Sequence, residues 1–125
     1  MSGATIVAAC SAIALTLASG LADSYGFVHA SRLWNGGRLV PGELARSGIG
    51  FALGIATYWV LLRFAERLGV HSVAIQTIGW FGATLIGVAI LTGEFRSWGL
   101  ANQVVALGVA VGIGWLLVAT GTHPE

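Results

Sequence analysis

The chain has 125 residues, 56% of them hydrophobic and 9% charged, against roughly 25% charged in a soluble domain. With a mean hydropathy of +0.85 it is not an ordinary soluble globular protein, because so few charges cannot coat a domain of this size and the apolar surface must face lipid. The six basic residues, all arginine, and five acids give a net charge of +1 with no basic run, which argues against nucleic acid or an acidic surface as partner.

The charged residues divide the chain into four apolar stretches, each near the roughly 20 residues that cross a hydrocarbon core of about 30 Å. The expectation is an all-α membrane protein, a single four-transmembrane-helix bundle over residues 1–125, with helices at about 4–31, 47–68, 71–93 and 99–121. No run alternates with period two, and a lone chain of this length does not readily close a membrane barrel.

The first stretch ends in Ala18-Ser19-Gly20-Leu21-Ala22, which imitates a cleavage site, and Val7-Ala8-Ala9-Cys10 imitates a lipobox. No Lys or Arg forms an n-region, so the stretch is read as a span rather than a leader. Its placement is open. Hydropathy centres it near residue 13 and leaves Asp23 at the membrane exit. Counting back about 15 Å from Arg32 and Trp34 as the interface puts Asp23 at the midplane. Continuous helix from Ala4 to Trp34 would be roughly 46 Å long, so it must tilt, protrude or break, with Gly20 and Gly26 as candidate breaks.

Asp23 is the only acid not plainly in a loop or tail. In lipid such a residue faces a bundle interior or watery cavity, pairs with another group, or exchanges protons. At the helix end it would instead be a solvated interfacial aspartate. Thr16, Ser19, Asp23, Gly26 and Ala30 recur at three and four residues as a small, polar stripe. His29, about 120° away around the helix, does not share it and reads as a loop-side or structural histidine.

Arg32 to Arg46 forms the longest loop, with turn signals at Asn35-Gly36-Gly37 and Pro41-Gly42. The second helix carries Gly50, Gly54, Thr57 and Tyr58 on one stripe and ends in Arg63, Glu66 and Arg67 before a tight corner that Gly69 can cap. On the third, Gln76, Gly79, Trp80, Ala83 and Gly87 form a comparable stripe. Tyr58, Trp59 and Trp80 fall inside spans, and aromatic faces near a carboxylate suit an organic cation, although packing is the default role for each. On the last helix, Gly108 and Gly112 make a small-xxx-small face suited to dimer packing. Loops one and three hold four arginines against two on the opposite side, which places those loops in the cytoplasm with a slight bias. The single Cys10 allows no internal disulfide or CxxC motif, and the three histidines lack metal-like spacing. A lone aspartate supplies no nucleophile and base pair, so neither an enzyme nor a cofactor is expected.

The stretch from Tyr58-Trp59 through Arg63-Phe-Ala-Glu-Arg67-Leu-Gly69-Val-His-Ser72, then Gly79-Trp80-Phe81-Gly82 to Gly93-Glu94, resembles the small multidrug resistance transporters of the drug/metabolite transporter superfamily. The likeness covers roughly residues 48 to 118 and extends to Gly112, where the family places a dimer-packing glycine. Asp23-Ser-Tyr-Gly26 best matches the family's membrane-embedded glutamate followed by glycine. Three departures stand out: aspartate replaces glutamate, the first loop is longer, and Ile78 occupies the cavity-tryptophan position, with Trp80 two residues on. The resemblance implies a homodimer, or a heterodimer with a paralogue, in the bacterial inner (plasma) membrane. It further implies proton-coupled export of a small organic cation or polar metabolite by antiport, with Asp23 as the coupling acid; Tyr58 and Trp80, as aromatics inside spans, and Gln76, from its stripe and without a family counterpart, complete the expected proton and substrate site. The alternative is a non-catalytic structural or assembly subunit of a larger membrane complex, docked through its glycine faces.

Overall fold

The computed structural model describes residues 2–121, with side-chain surroundings through Trp115. In chain order it holds α1 (Gly3–Ala30), β1 (Trp34–Asn35), β2 (Arg38–Leu39), α2 (Pro41–Arg67), α3 (Val73–Thr92), α4 (Glu94–Ser97) and α5 (Leu100–Gly121). Three of these, α1, α2 and α3, are long and apolar enough to cross a membrane, and α5 contributes a shorter described apolar segment, Leu100–Trp115. The protein therefore reads as a multi-pass integral membrane protein.

Local chemistry fixes the ends of these helices. The Ser2 hydroxyl accepts from the Thr5 amide to start α1, and Ser72 does the same for Ile75 at the start of α3. Both satisfy an amide that the first helical turn leaves free. Gly93 closes α3 at φ 69°, a left-handed conformation that glycine adopts without steric cost. Helix α2 begins at Pro41, six residues before the expected start at 47. Pro41-Gly42 is not a turn here: proline at the first helical position loses no hydrogen bond and has its φ preset. The polar Glu43 and Arg46 then form the opening turns of the helix. The loop shrinks to a hairpin, with Trp34 opposite Leu39 and Asn35 opposite Arg38. Gly36 and Gly37 both have positive φ, as a two-residue type I′ connection requires.

Helix α1 is continuous over 28 residues, so neither Gly20 nor Gly26 breaks it. It lies between α2 and α3, which barely touch each other, while α5 packs mainly on α3. The glycines bring backbones together instead. A Cβ at Gly20 would lie 2.7 Å from Ala83 Cβ, one at Gly50 would lie 2.7 Å from the Gly26 amide nitrogen, and one at Gly26 would meet the Phe51 ring at 2.9 Å. Gly20 faces Ala83 and Ser24 faces Gly87, so α1 and α3 run in the same direction. Helix α2 runs against both.

The interior of the bundle is made of small and polar side chains. Ser19, Gly20, Asp23, Ser24 and Gly26 of α1 are buried, as are Ser47, Gly50 and Gly54 of α2 and Thr84 and Gly87 of α3, while Gly82 of α3 is buried towards α5. Among the described residues the only buried hydrophobics are Ala8, Leu61 and Ala65, whereas Leu53, Leu85, Ile90 and Val105 are exposed. This distribution inverts that of a water-soluble core. It fits helices that associate in lipid by close van der Waals packing, where burying leucine gives no advantage over leaving it in the acyl chains.

Candidate functional site around Asp23

Asp23 is 1% exposed and faces Gly54. An added Cβ at Gly54 would fall 2.2 Å from Asp23 Oδ1 and 2.5 Å from its Cγ, so the carboxyl occupies the space that a side chain would take. Gly54 is the middle residue of the 27-residue α2, which sets Asp23 at the level of that helix's midpoint rather than at its mouth.

Two further contacts enclose the carboxyl. The indole Nε1 of Trp80, reaching from α3, donates to Asp23 Oδ2 at 2.5 Å. One turn before Asp23, the Ser19 hydroxyl donates to the Gly54 carbonyl at 2.8 Å and ties α1 to the same point of α2. No arginine or histidine forms an ion pair with Asp23 among the described residues. The carboxyl thus has one neutral donor and no fixed countercharge, an arrangement that leaves its charge to be balanced by a mobile proton or cation.

Around this pair lies an aromatic wall. The Tyr58 and Trp80 rings are 5.9 Å apart at 52°, and Phe81 meets Trp80 edge-on at 4.7 Å. On the neighbouring face of α1, the Ser24 hydroxyl is within donating distance of the Gly20 carbonyl at 2.6 Å and the Thr84 carbonyl at 2.9 Å. Thr84 in turn bonds the Trp80 carbonyl at 3.0 Å. These bonds fix α3 against α1 close to the indole. Three of the expected site residues therefore come together: Asp23 and Trp80 directly, and Tyr58 beside the indole.

Gln76 is committed elsewhere. Its Nε2 donates to the Val70 carbonyl at 3.0 Å and clamps the corner between α2 and α3, where Gly69 has φ 75°. Trp59 is 68% exposed and stands on the outer surface, away from the aromatic wall. Gly108 and Gly112 do not pack within the protomer, since a Cβ at either would meet nothing within 4 Å. His29 pairs with Glu43 at 2.5 Å, and Arg46 joins the same carboxylate at 3.1 Å. The group latches the end of α1 to the start of α2. Arg63 and Glu66 form no ion pair among the described residues, while Arg67 lies 5.6 Å above the Phe64 ring.

Sequence reasoning missed the Ser24–Thr84 and Gly20–Ala83 contacts. The signal for them was present: Gly20 and Ser24 are four residues apart and so share a face of α1, next to the stripe that holds Asp23. Among the described residues no group of three His, Cys, Asp or Glu side chains could hold a metal ion. No protein-family model, curated protein or solved structure matches the chain.

Proposed function

We propose that the protein is a proton-coupled antiporter of a small organic cation or polar metabolite, working as a dimer in which each protomer contributes Asp23. The observation that carries this reading is the buried carboxyl at mid-helix depth, bonded to one neutral indole N–H and to no cation. An ionisable group in that position is costly and marks a pathway or a coupling site. Trp80 cannot give up its proton and so cannot neutralise the carboxylate. Either a proton or a cationic substrate completes the charge balance, and competition between the two is antiport.

The aromatic surfaces of Trp80 and Tyr58 suit an organic cation that approaches the carboxylate. The closed packing of Gly54 over Asp23 is read as the occluded stage of the cycle, from which a shift of α1 against α2 or α3 admits substrate. The unpartnered Gly108 and Gly112 face of α5 is the candidate dimer contact. The likeness of Tyr58–Gly69 and Gly79–Glu94 to the small multidrug resistance transporters supports the same reading. Cytoplasmic placement of the first and third loops follows from Arg32, Arg38, Arg46 and Arg96.

The test is reconstitution into liposomes with an imposed pH gradient and ethidium as the probe cation. Asp23→Asn is expected to abolish gradient-driven ethidium movement while the purified protein keeps its helicity and oligomeric state. Undiminished transport in that variant would overturn the proposal. A second reading, a non-catalytic subunit of a larger membrane complex, is favoured by the close cover over Asp23 in the single chain. Recovery in mild detergent only together with unrelated subunits would establish it, whereas a self-contained oligomer supports the antiporter.

A further inference from the structure

Helices α3 and α5 meet at Gly82 and Ile113, where a Cβ on the glycine would lie 3.4 Å from the Ile113 Cγ2. At the other end α5 is tied to the α4 turn that follows α3, where Gln103 Nε2 donates to the Phe95 carbonyl at 2.9 Å. Between these contacts the helices leave a groove of about 690 Å³. Its walls are apolar: Ile86 and Ile90 from α3, and Ala106 and Ala110 from α5, whose small side chains leave the space open. The exception is its outer end, where Arg96 and Trp98 of the α4 turn form the rim.

We propose that this groove holds one acyl chain of an anionic phospholipid, with the lipid phosphate at Arg96. Length is the first reason. From Gly82 to Gly93 the α3 wall rises about 16 Å at 1.5 Å per residue, which is half of a hydrocarbon core of about 30 Å and therefore the depth of one leaflet. Shape is the second. The groove stops where Gly82 and Ile113 touch, near the middle of α3, so a helix of another subunit running the full membrane depth would be blocked there, whereas an acyl chain ends there.

Charge is the third reason. Arg96 is exposed and forms neither an ion pair nor a side-chain hydrogen bond with any described residue. Glu94, the acid of the same turn, does not line the groove. An unpaired arginine beside an interfacial tryptophan is the pairing that meets a phosphate at headgroup level.

The experiment is native mass spectrometry of the full-length protein in detergent, titrated with dioleoyl phosphatidylglycerol and, separately, dioleoyl phosphatidylcholine. The wild type should retain one phosphatidylglycerol in preference to phosphatidylcholine. Arg96→Gln, an exposed substitution that leaves packing intact, should weaken phosphatidylglycerol about fivefold and leave phosphatidylcholine unchanged, as expected for one basic side chain at an anionic surface. Ala110→Phe, which fills the groove, should reduce retention of both lipids at least tenfold. Equal retention of the two lipids by the wild type, or an undiminished phosphatidylglycerol preference in Arg96→Gln, overturns the proposal. So does Ala110→Phe if it splits an oligomer without changing lipid retention, since the groove would then belong to a second copy. If Ala110→Phe fails to fold, the Arg96→Gln comparison decides alone.

Discussion

Replacing Gly54 by alanine sets two opposed effects against each other at one position. Alanine favours helix by roughly 0.5–1 kcal/mol over glycine, so an unobstructed Gly→Ala change stabilises. At Gly54 the new methyl would stand 2.2 Å from Asp23 Oδ1, where ordinary contact begins near 3.4 Å. The carboxyl is wedged between α2 and the Trp80 indole and has no free direction to turn, so α1 and α2 must part by roughly an ångström. Overpacking of this kind costs about 1–3 kcal/mol. Lengthening the Ser19–Gly54 bond forfeits a further contribution of about 0.5–1.5 kcal/mol. The clash prevails, and Gly54→Ala should destabilise by roughly 1–3 kcal/mol net.

Unfolding by titration with sodium dodecyl sulfate, followed by helicity, reads this number directly. Gly108→Ala, with nothing within 4 Å of the new methyl, is the control for a glycine without a close neighbour and should be neutral or mildly stabilising in the protomer. A double-mutant cycle locates the cause. In an Asp23→Ala background the methyl at position 54 finds space, and the coupling should reach about 1 kcal/mol or more, as for residues in direct contact. If Gly54→Ala matches Gly108→Ala, or if Gly54→Ala and Asp23→Ala add independently, Asp23 does not pack against Gly54.

Other expectations follow from the same geometry. Gly87→Ala should destabilise through its 2.2 Å approach to the Ser24 hydroxyl, and Ser24→Ala should relieve most of that loss in the same unfolding assay. Trp80→Ala removes both the donor and the lid over Asp23, so modification of the carboxyl by dicyclohexylcarbodiimide, followed by mass spectrometry, should accelerate at least tenfold. Gln76→Ala should cost about 0.5–1.5 kcal/mol through the lost corner bond to Val70 and leave ethidium transport unaltered; a specific transport defect would return Gln76 to the substrate site. Glu43→Gln should unlatch His29 and Arg46, raising hydrogen exchange around residues 28–33 while residues near Asp23 stay protected.

The helices were legible because charged residues separate the apolar stretches and Gly69 marks the corner after the second; the Ser72 cap and the Gly93 stop of α3 emerge from the structure. The start of α2 was hidden because Pro41, Gly42, Glu43 and Arg46 suit a loop equally well, and only the proline's position decides for helix. The depth of Asp23 could not be read from α1 itself. Its 28 residues exceed a bilayer and carry no charge other than Asp23 to mark either interface, so no local feature sets the register; the partners Gly54 and Trp80, distant in sequence, set it. The stripe containing Ser19, Asp23 and Gly26 was visible as periodicity, and so was that of Gly50 and Gly54. For Gln76, helical spacing gives a face but not a reach, and the structure shows its amide bonded to the corner carbonyl of Val70. The position of Ile78 pointed away from an indole at the site, yet Trp80 on the next face is large enough to bridge to α1.

The separation of 57 positions between Asp23 and its donor Trp80 has a bearing on biogenesis. A ribosome adds about 5–20 residues per second, so the first helix waits several seconds in the bilayer before the indole that caps its carboxyl has been made. During that interval α1 must be tolerated by lipid alone. Aspartate at a helix centre carries an insertion penalty of about 2.5–3.5 kcal/mol, and the largely apolar segment from Ile6 to Leu17, interrupted only by Ser11 and Thr16, is what offsets it. The length of α1 beyond a bilayer's need is thus an insertion reserve, which lets a helix carrying a lone acid enter the membrane before its partners exist.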